Sequence, residues 1–552
     1  MKKKNPGKNT VEPAKMNQKL IAFLEEYIPQ IKKLAKKASV TAWVAYTEGK
    51  DESYKQMEEA ELGCRKFHTD AKKFKKIKEI AESGIITDPL LKRQLILTYN
   101  AYLENQIPSE LMEKMVKLST EIQKTFNSFR GEVDGKQYGR NDVIQILKES
   151  ADNNLRKKVW EAHKEVGALV APDLIKLVKL RNESARILGY KNFREMQLAL
   201  QEHEPKMLDV IFSELDEKTC EPYKKNKDEL NKNLAKRLNI PSEELRPWHY
   251  ADPFMQEAPK STEIDFDRYY KDKNLAEIAR SYYKSFGLDP DAILKRSDLF
   301  PRQGKCEHAF CFPIDREGDI RVLCNITPSS RWMNIILHEL GHGLYESYYE
   351  KSMPWLLRQP AHIFTTEGIA ELFGEITINP YWLKEIMGLT ENESIKLKSP
   401  ILKQKTFAKL MFARWSLVMY NFEKALYENP EQDLTTLWWD IVEKYQMVKR
   451  PDNRVKPDWA TKDHFVCAPV YYHNYALGQM FACQLLERIA SISGENDPLK
   501  VIFKDRPELG KYLIEKVFKP GASLHWTEFV EFSSGKPLGV DSYIKSLNWG
   551  KE

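Results

Sequence analysis

No run of apolar residues in this 552-residue chain approaches the roughly 20 that a membrane-spanning helix needs. The amino terminus, Met1-Lys2-Lys3-Lys4-Asn5-Pro6-Gly7, is basic, but the apolar segment of a secretory signal does not follow it. A membrane partner is therefore not expected. Cysteine is sparse too. The seven residues (Cys64, Cys220, Cys306, Cys311, Cys324, Cys467, Cys483) are odd in number and scattered. They argue against a disulfide framework and suit reduced thiols in a cytoplasmic enzyme. Neither charge sign dominates: 86 basic and 80 acidic residues leave a net charge of +6. No dense basic patch with interleaved aromatics appears, so nucleic acid is not an expected partner. The lysine-rich stretches 72–78 and 224–236 read as solvated helix faces.

Histidine is the most informative scarcity. Of only 11 in the chain, two stand in Ile335-Ile336-Leu337-His338-Glu339-Leu340-Gly341-His342. The run from Arg331 to Glu350 has no proline, and Met333, Ile336, Leu337, Leu340 and Leu344 recur at helical spacing. On such a helix His338 and His342 point their imidazoles at one spot, a spacing that suits Zn²⁺. Glu339 is offset by roughly 100° and can reach a water there instead. Two imidazoles and a carboxylate are costly to bury unless something binds them, and a metal is the simplest solution.

Residues 1–15 read as a disordered basic tail. Residues 16–552 then form one expected domain. From Met16 to about Ile240 the pattern is almost wholly helical, with Pro29 as a kink or break and Gly189 as a helix stop. Arg246 to Phe254 is too rich in proline and aromatics for a helix and is expected to be a packed loop or a pocket wall. Helix is expected again over Asp265 to Phe286. The clearest β signal is a hairpin, 308–314 and 319–326, around Asp315-Arg316-Glu317-Gly318. An exposed strand edge there could hold an extended peptide through main-chain hydrogen bonds.

Beyond the histidines, Thr365 to Phe373 reads as a second helix on which Glu367 and Glu371 share a face. Unless both are simply solvated, Glu367 is the third metal ligand and Glu371 an acceptor that orients a ligand histidine. Further helices are expected at 403–427, 435–446 and 475–492. The last follows a segment with Lys462, His464, Tyr471, Tyr472 and His473, a good wall for a polar substrate.

Together these residues resemble the peptidyl-dipeptidase A family, the angiotensin-converting-enzyme-like metallopeptidases of the gluzincin superfamily. The resemblance is carried by His338-Glu339-x-x-His342 with Glu367 after 24 intervening residues, by the pair His308-Ala309, and by Leu356-Leu357-Arg358. It extends to Leu177-Val178-Lys179-Leu180-Arg181-Asn182 with Leu188-Gly189-Tyr190, and to Tyr472-x-x-Tyr475. It implies a mainly α fold: a two-lobed helical ellipsoid with a deep central cleft and a small β-sheet next to the zinc helix. It further implies one Zn²⁺ on His338, His342 and Glu367, with Glu339 as general base.

By the same resemblance, His464 and Tyr475 stabilise the tetrahedral intermediate. Lys462, Tyr472 and Gln256 bind a terminal carboxylate, and His308 and Ala309 contact the peptide backbone. Three positions depart from the family: Thr366 stands where it has histidine, Glu371 where it has aspartate, and Asn474 where it has the arginine tied to chloride activation. The expectation is a zinc peptidase releasing carboxy-terminal dipeptides from short peptides. Oligoendopeptidase or metallocarboxypeptidase action, or silent peptide binding, are the alternatives.

Overall fold

A computed structural model describes residues 8–259 and 265–551. It is mainly α-helical, with two small two-stranded antiparallel sheets. Chain contacts divide it into two compact units. The first comprises Met1–Gln106, Asp265–Lys398 and Gly478–Leu538; the second comprises Ile107–Ile264, Ser399–Leu477 and Gly539–Glu552. All seven cysteines are free, and no described helix is long and apolar enough to cross a membrane.

In the first unit, the helix Lys8–Glu48 begins ahead of residue 16, where the helical pattern was expected to start. Residues 1–7 of the expected tail lie outside the described residues, but from Lys8 the chain is already helical. The helix also runs on through Pro29, where a kink or break was expected. An interior proline costs a helix ~3 kcal/mol. Here Leu24, Tyr27 and Ile31, on both sides of it, are buried against Ile77, Ile80, Leu95 and Tyr102, which offsets that loss. Further along the same helix, Trp43 and Tyr46 pack on Phe312 and Phe310 at ring separations of 5.5 and 5.3 Å.

The hairpin forms as expected, but shorter. β1 (Phe310–Pro313) pairs antiparallel with β2 (Ile320–Leu323), Cys311 opposite Val322. Strand side chains alternate, so Phe310 and Phe312 face the long helix and Cys311 faces the other way. The expected helix over Asp265 to Phe286 is instead a 3-10 turn, Asp267–Tyr269, followed by the helix Leu275–Ser285. Asn274 explains the restart: its side-chain oxygen accepts the Glu277 N–H at 3.2 Å and caps the new helix.

The second unit is built on the helices Asn153–Ile187 and Pro205–Leu238 and on most of Glu391–Glu428. Gly189, at φ +91°, ends the first of these as expected, since a left-handed residue there suits glycine. The Arg246–Phe254 segment is a packed loop. Buried Arg156 donates to the carbonyls of Trp248 and Tyr250, both at 3.0 Å, and Trp160 donates to that of Pro253. The same loop lines a cavity of about 20 Å³ beside Lys164. One of the lysines expected on a solvated face is not there: Lys227 is buried and donates to the Tyr250 hydroxyl at 2.6 Å.

Candidate metal centre and substrate-binding residues

The motif helix is Ser330–Ser347, and the Ser329 side chain caps it by accepting the Trp332 N–H. Met333, Ile336, Leu337, Leu340 and Leu344 are wholly buried, as their spacing predicts. His338 and His342 sit a turn apart with ring centroids 4.9 Å apart and planes at 82°. The second helix is Ile363–Gly374. From it Glu367 places Oε2 3.8 Å from His338 Nε2 and 4.0 Å from His342 Nε2. Ligand atoms of the three residues all lie within 4.8 Å of one another, the only such trio among the described residues.

Glycine makes this closeness possible. A Cβ added to Gly341 would stand 3.2 Å from Ala370 Cα, so the two helices approach to backbone contact there. A Cβ on Gly368, next to Glu367, would meet the Phe481 ring at 2.7 Å and the Gly478 carbonyl oxygen at 2.9 Å. These glycines set the position of Glu367, and nothing in the periodicity of the sequence marks them. Thr366 is a second such residue. Its hydroxyl lies 2.7 Å from His342 Nδ1 and so leaves Nε2 to face Glu367. Thr366 is thus placed to orient His342. Glu371 itself is half-buried one turn further along.

Burial dominates the electrostatics. It pushes the His338 imidazole down to about 4, and burial plus the neighbouring His338 hold His342 well below its usual range. Both rings are therefore neutral near pH 7, the form that binds metals. Burial pushes the Glu367 carboxyl up to about 7. Burial, then the Glu367 carboxyl, push Glu339 up to about 8, against the pull of a hydrogen bond from the Cys311 N–H. A divalent cation relieves both penalties at once. Two neutral imidazoles and one carboxylate form an N₂O donor set that fits Zn²⁺, and the residues present are suited to hold it.

The Cys311 hydrogen bond also locates the hairpin: β1 turns its outer edge toward Glu339, and no described strand pairs with that edge. Ala309 and the exposed His308 lie just before β1, not within it as expected.

The other expected site residues belong to the second unit and form a set of their own. Lys462 is buried and donates from Nζ to Gln256 Oε1 at 3.0 Å. Its ammonium stands 5.2 to 5.5 Å from the ring centres of Phe254, Trp415 and Tyr472. Burial pushes it down to about 8. The Trp415 indole N–H donates to the Tyr472 oxygen at 2.6 Å, which leaves the phenol proton for another acceptor. His464 and Tyr475 flank Tyr472, with ring centres at 5.2 and 5.3 Å. Asp463, unnoticed in the sequence, accepts from His464 Nδ1 at 2.8 Å. Burial alone would raise the Asp463 carboxyl, but His464, Lys462 and Arg140 hold it well below the carboxylate range.

The family model for angiotensin-converting enzyme matches residues 14–539, nearly the whole chain. The chain belongs to the angiotensin-converting enzyme family. Its relatives are distant. An angiotensin-converting enzyme-related protein of Drosophila melanogaster is 24% identical over 308 residues, 51% of this chain and 48% of that one. The angiotensin-converting enzyme of Sus scrofa is 22% identical over 439 residues, 74% of this chain and 33% of that one. An inactive angiotensin-converting enzyme-related protein of Caenorhabditis elegans is 22% identical over 608 aligned positions, 97% of this chain and 64% of that one. The chain thus spans between a third and two-thirds of the length of these relatives.

Of the three departures from the angiotensin-converting enzyme family pattern, those at Thr366 and Asn474 have local explanations here. Thr366 supplies the hydroxyl that meets His342. Asn474 is buried, and its side-chain amide donates to Gln201 Oε1 at 2.9 Å.

Proposed function

We propose that this chain is a zinc-dependent peptidase that releases dipeptides from the carboxy terminus of short peptides. The observation that carries the reading is the convergence of His338, His342 and Glu367 within 4.8 Å, with Glu339 beside them at a strand edge that no described strand pairs with. Membership of the angiotensin-converting enzyme family supports it. A bound zinc ion would polarise the scissile carbonyl and lower the pKa of water toward roughly 7.

The chain's own groups do the rest. A peptide laid along the outer edge of β1, near Ala309 and His308, exchanges main-chain hydrogen bonds with it. Glu339, ionised once a cation relieves its burial, takes the proton of the attacking water and hands it to the leaving amine. His464, held at Nδ1 by Asp463, and Tyr475 donate to the developing oxyanion, a contact worth about 3 kcal/mol each. Lys462, Tyr472 and Gln256 take the substrate's terminal carboxylate. That last assignment separates a dipeptidase from its relatives. The test is product analysis on a free-acid peptide and its carboxy-amide. Dipeptide release from the acid alone is expected. Equal cleavage of both would make the protein an endopeptidase, and single-residue release a carboxypeptidase. The seven free thiols support a cytoplasmic location.

A further inference from the structure

The segment that bears His464, Tyr472 and Tyr475 contains a backbone anomaly. Val470 has φ +53°, a left-handed conformation that a β-branched side chain rarely adopts. It follows Pro469 in the link between the short helix His464–Cys467 and the helix His473–Ser493. A conformation of this kind costs free energy and persists only where its surroundings impose it. The surroundings are explicit. The Val470 N–H donates to Glu423 Oε1 at 2.7 Å, and the Val470 carbonyl accepts from Gln201 Nε2 at 3.0 Å. Both Val470 and Glu423 are buried, 2% and 6% exposed. Arg181, also buried, donates to the carbonyls of Phe465 and Val466 at 2.6 and 2.7 Å, so the segment is gripped at both ends.

A buried carboxyl that accepts from a backbone N–H is an expensive way to fill a core. An aliphatic side chain would cost less. The guanidinium groups of Arg181 and Arg194 lie close enough to offset part of that cost. None of these residues was read from the sequence as functional.

We infer that Glu423 is a positioning residue: by accepting the Val470 N–H it imposes the left-handed turn that sets Tyr472 and Tyr475 in their working places. The inference rests on the peptidase reading for its effect on rate, but its effect on the turn stands apart from it. Glutamine keeps an acceptor oxygen at the same position, whereas alanine removes it. Glycine at 470 adopts positive φ without being forced. The three substitutions therefore separate positioning from bulk stability.

The experiment uses the full zinc-loaded chain. Glu423→Ala, Glu423→Gln and Glu423→Ala/Val470→Gly are compared for zinc content, for kcat/KM on a free-acid peptide, and for amide hydrogen exchange over residues 466–475. Expected for Glu423→Ala are unchanged zinc, faster exchange in that segment, and a loss of about a hundredfold in kcat/KM, the scale of an ångström-sized misplacement. Glu423→Gln stays close to wild type, and Val470→Gly added to Glu423→Ala restores most of the loss. Wild-type exchange and turnover in Glu423→Ala, or no recovery on adding Val470→Gly, overturns the inference. Should Glu423→Ala not fold, Glu423→Gln decides: fast segment exchange there overturns it. A wild-type chain that cleaves no peptide sinks the peptidase reading, while the exchange comparison still tests the turn.

Discussion

The Thr366 hydroxyl stands 2.7 Å from His342 Nδ1, one residue before Glu367 in the same helix. One turn of backbone thus supplies a carboxylate to one face of the proposed metal and a hydrogen-bond partner to the far side of a ligand ring. Such partners fix the tautomer and orientation of a ligating histidine. Thr366→Val, which keeps the shape and removes the hydroxyl, is expected to weaken zinc binding about 10- to 100-fold. Thr366→Ser is expected to retain it. Competition against a chelator of known affinity measures both.

The raised carboxyl of Glu367 makes zinc affinity depend on pH. Metal binding must displace the proton that the metal-free Glu367 carries below its pKa of about 7, whereas His338, at about 4, is already neutral above pH 5. Affinity is therefore expected to rise about tenfold per pH unit between 5 and 7 and to flatten above. The fold responds in the opposite sense. A carboxyl raised from 4.5 to about 7 in the folded chain favours folding while protonated. Metal-free stability contributed by this group is then present below pH 4.5 and lost as pH rises through 7. Chelator competition and denaturant unfolding across that range check the two trends.

Gly368 tests how the third ligand is placed. A Cβ there would fall 2.7 Å from the Phe481 ring and 2.9 Å from the Gly478 oxygen. Gly368→Ala is expected to cost about 1–3 kcal/mol of stability by overpacking and to weaken zinc binding by moving Glu367. Urea unfolding and zinc competition on the same preparation should show both losses together.

Much of this was legible because helix and strand periods are strong signals. The buried stripe Met333, Ile336, Leu337, Leu340 and Leu344 identified the motif helix, and a polar glycine-containing turn identified the hairpin. What escaped depends on tertiary contacts. Pro29 does not break its helix because Tyr27 and Ile31 are packed on both sides of it. A local cap at Asn274 splits the expected 265–286 helix. Gly341 and Gly368 matter only through what touches them. Thr366 was noticed as a departure from the family pattern, but its hydrogen bond could not be read from spacing, and Asp463 and Glu423 left no local signal at all.

Lys462 tests the substrate end. It is buried among Phe254, Trp415 and Tyr472, so its charge is poorly screened, and losing one partner of such a pair costs about 2–5 kcal/mol. Lys462→Met is expected to lower kcat/KM on a free-acid peptide by the corresponding factor, mostly through KM. It is expected to change little for the amidated peptide. Steady-state kinetics on the two peptides distinguishes this from general damage.

The most direct test of the whole account is Glu339→Gln, assayed for bound zinc and for peptide hydrolysis beside the wild-type chain. The account predicts one zinc per chain in both proteins and hydrolysis in the wild type alone. Hydrolysis by Glu339→Gln at near wild-type rate, or a wild-type chain that binds no zinc, would contradict it.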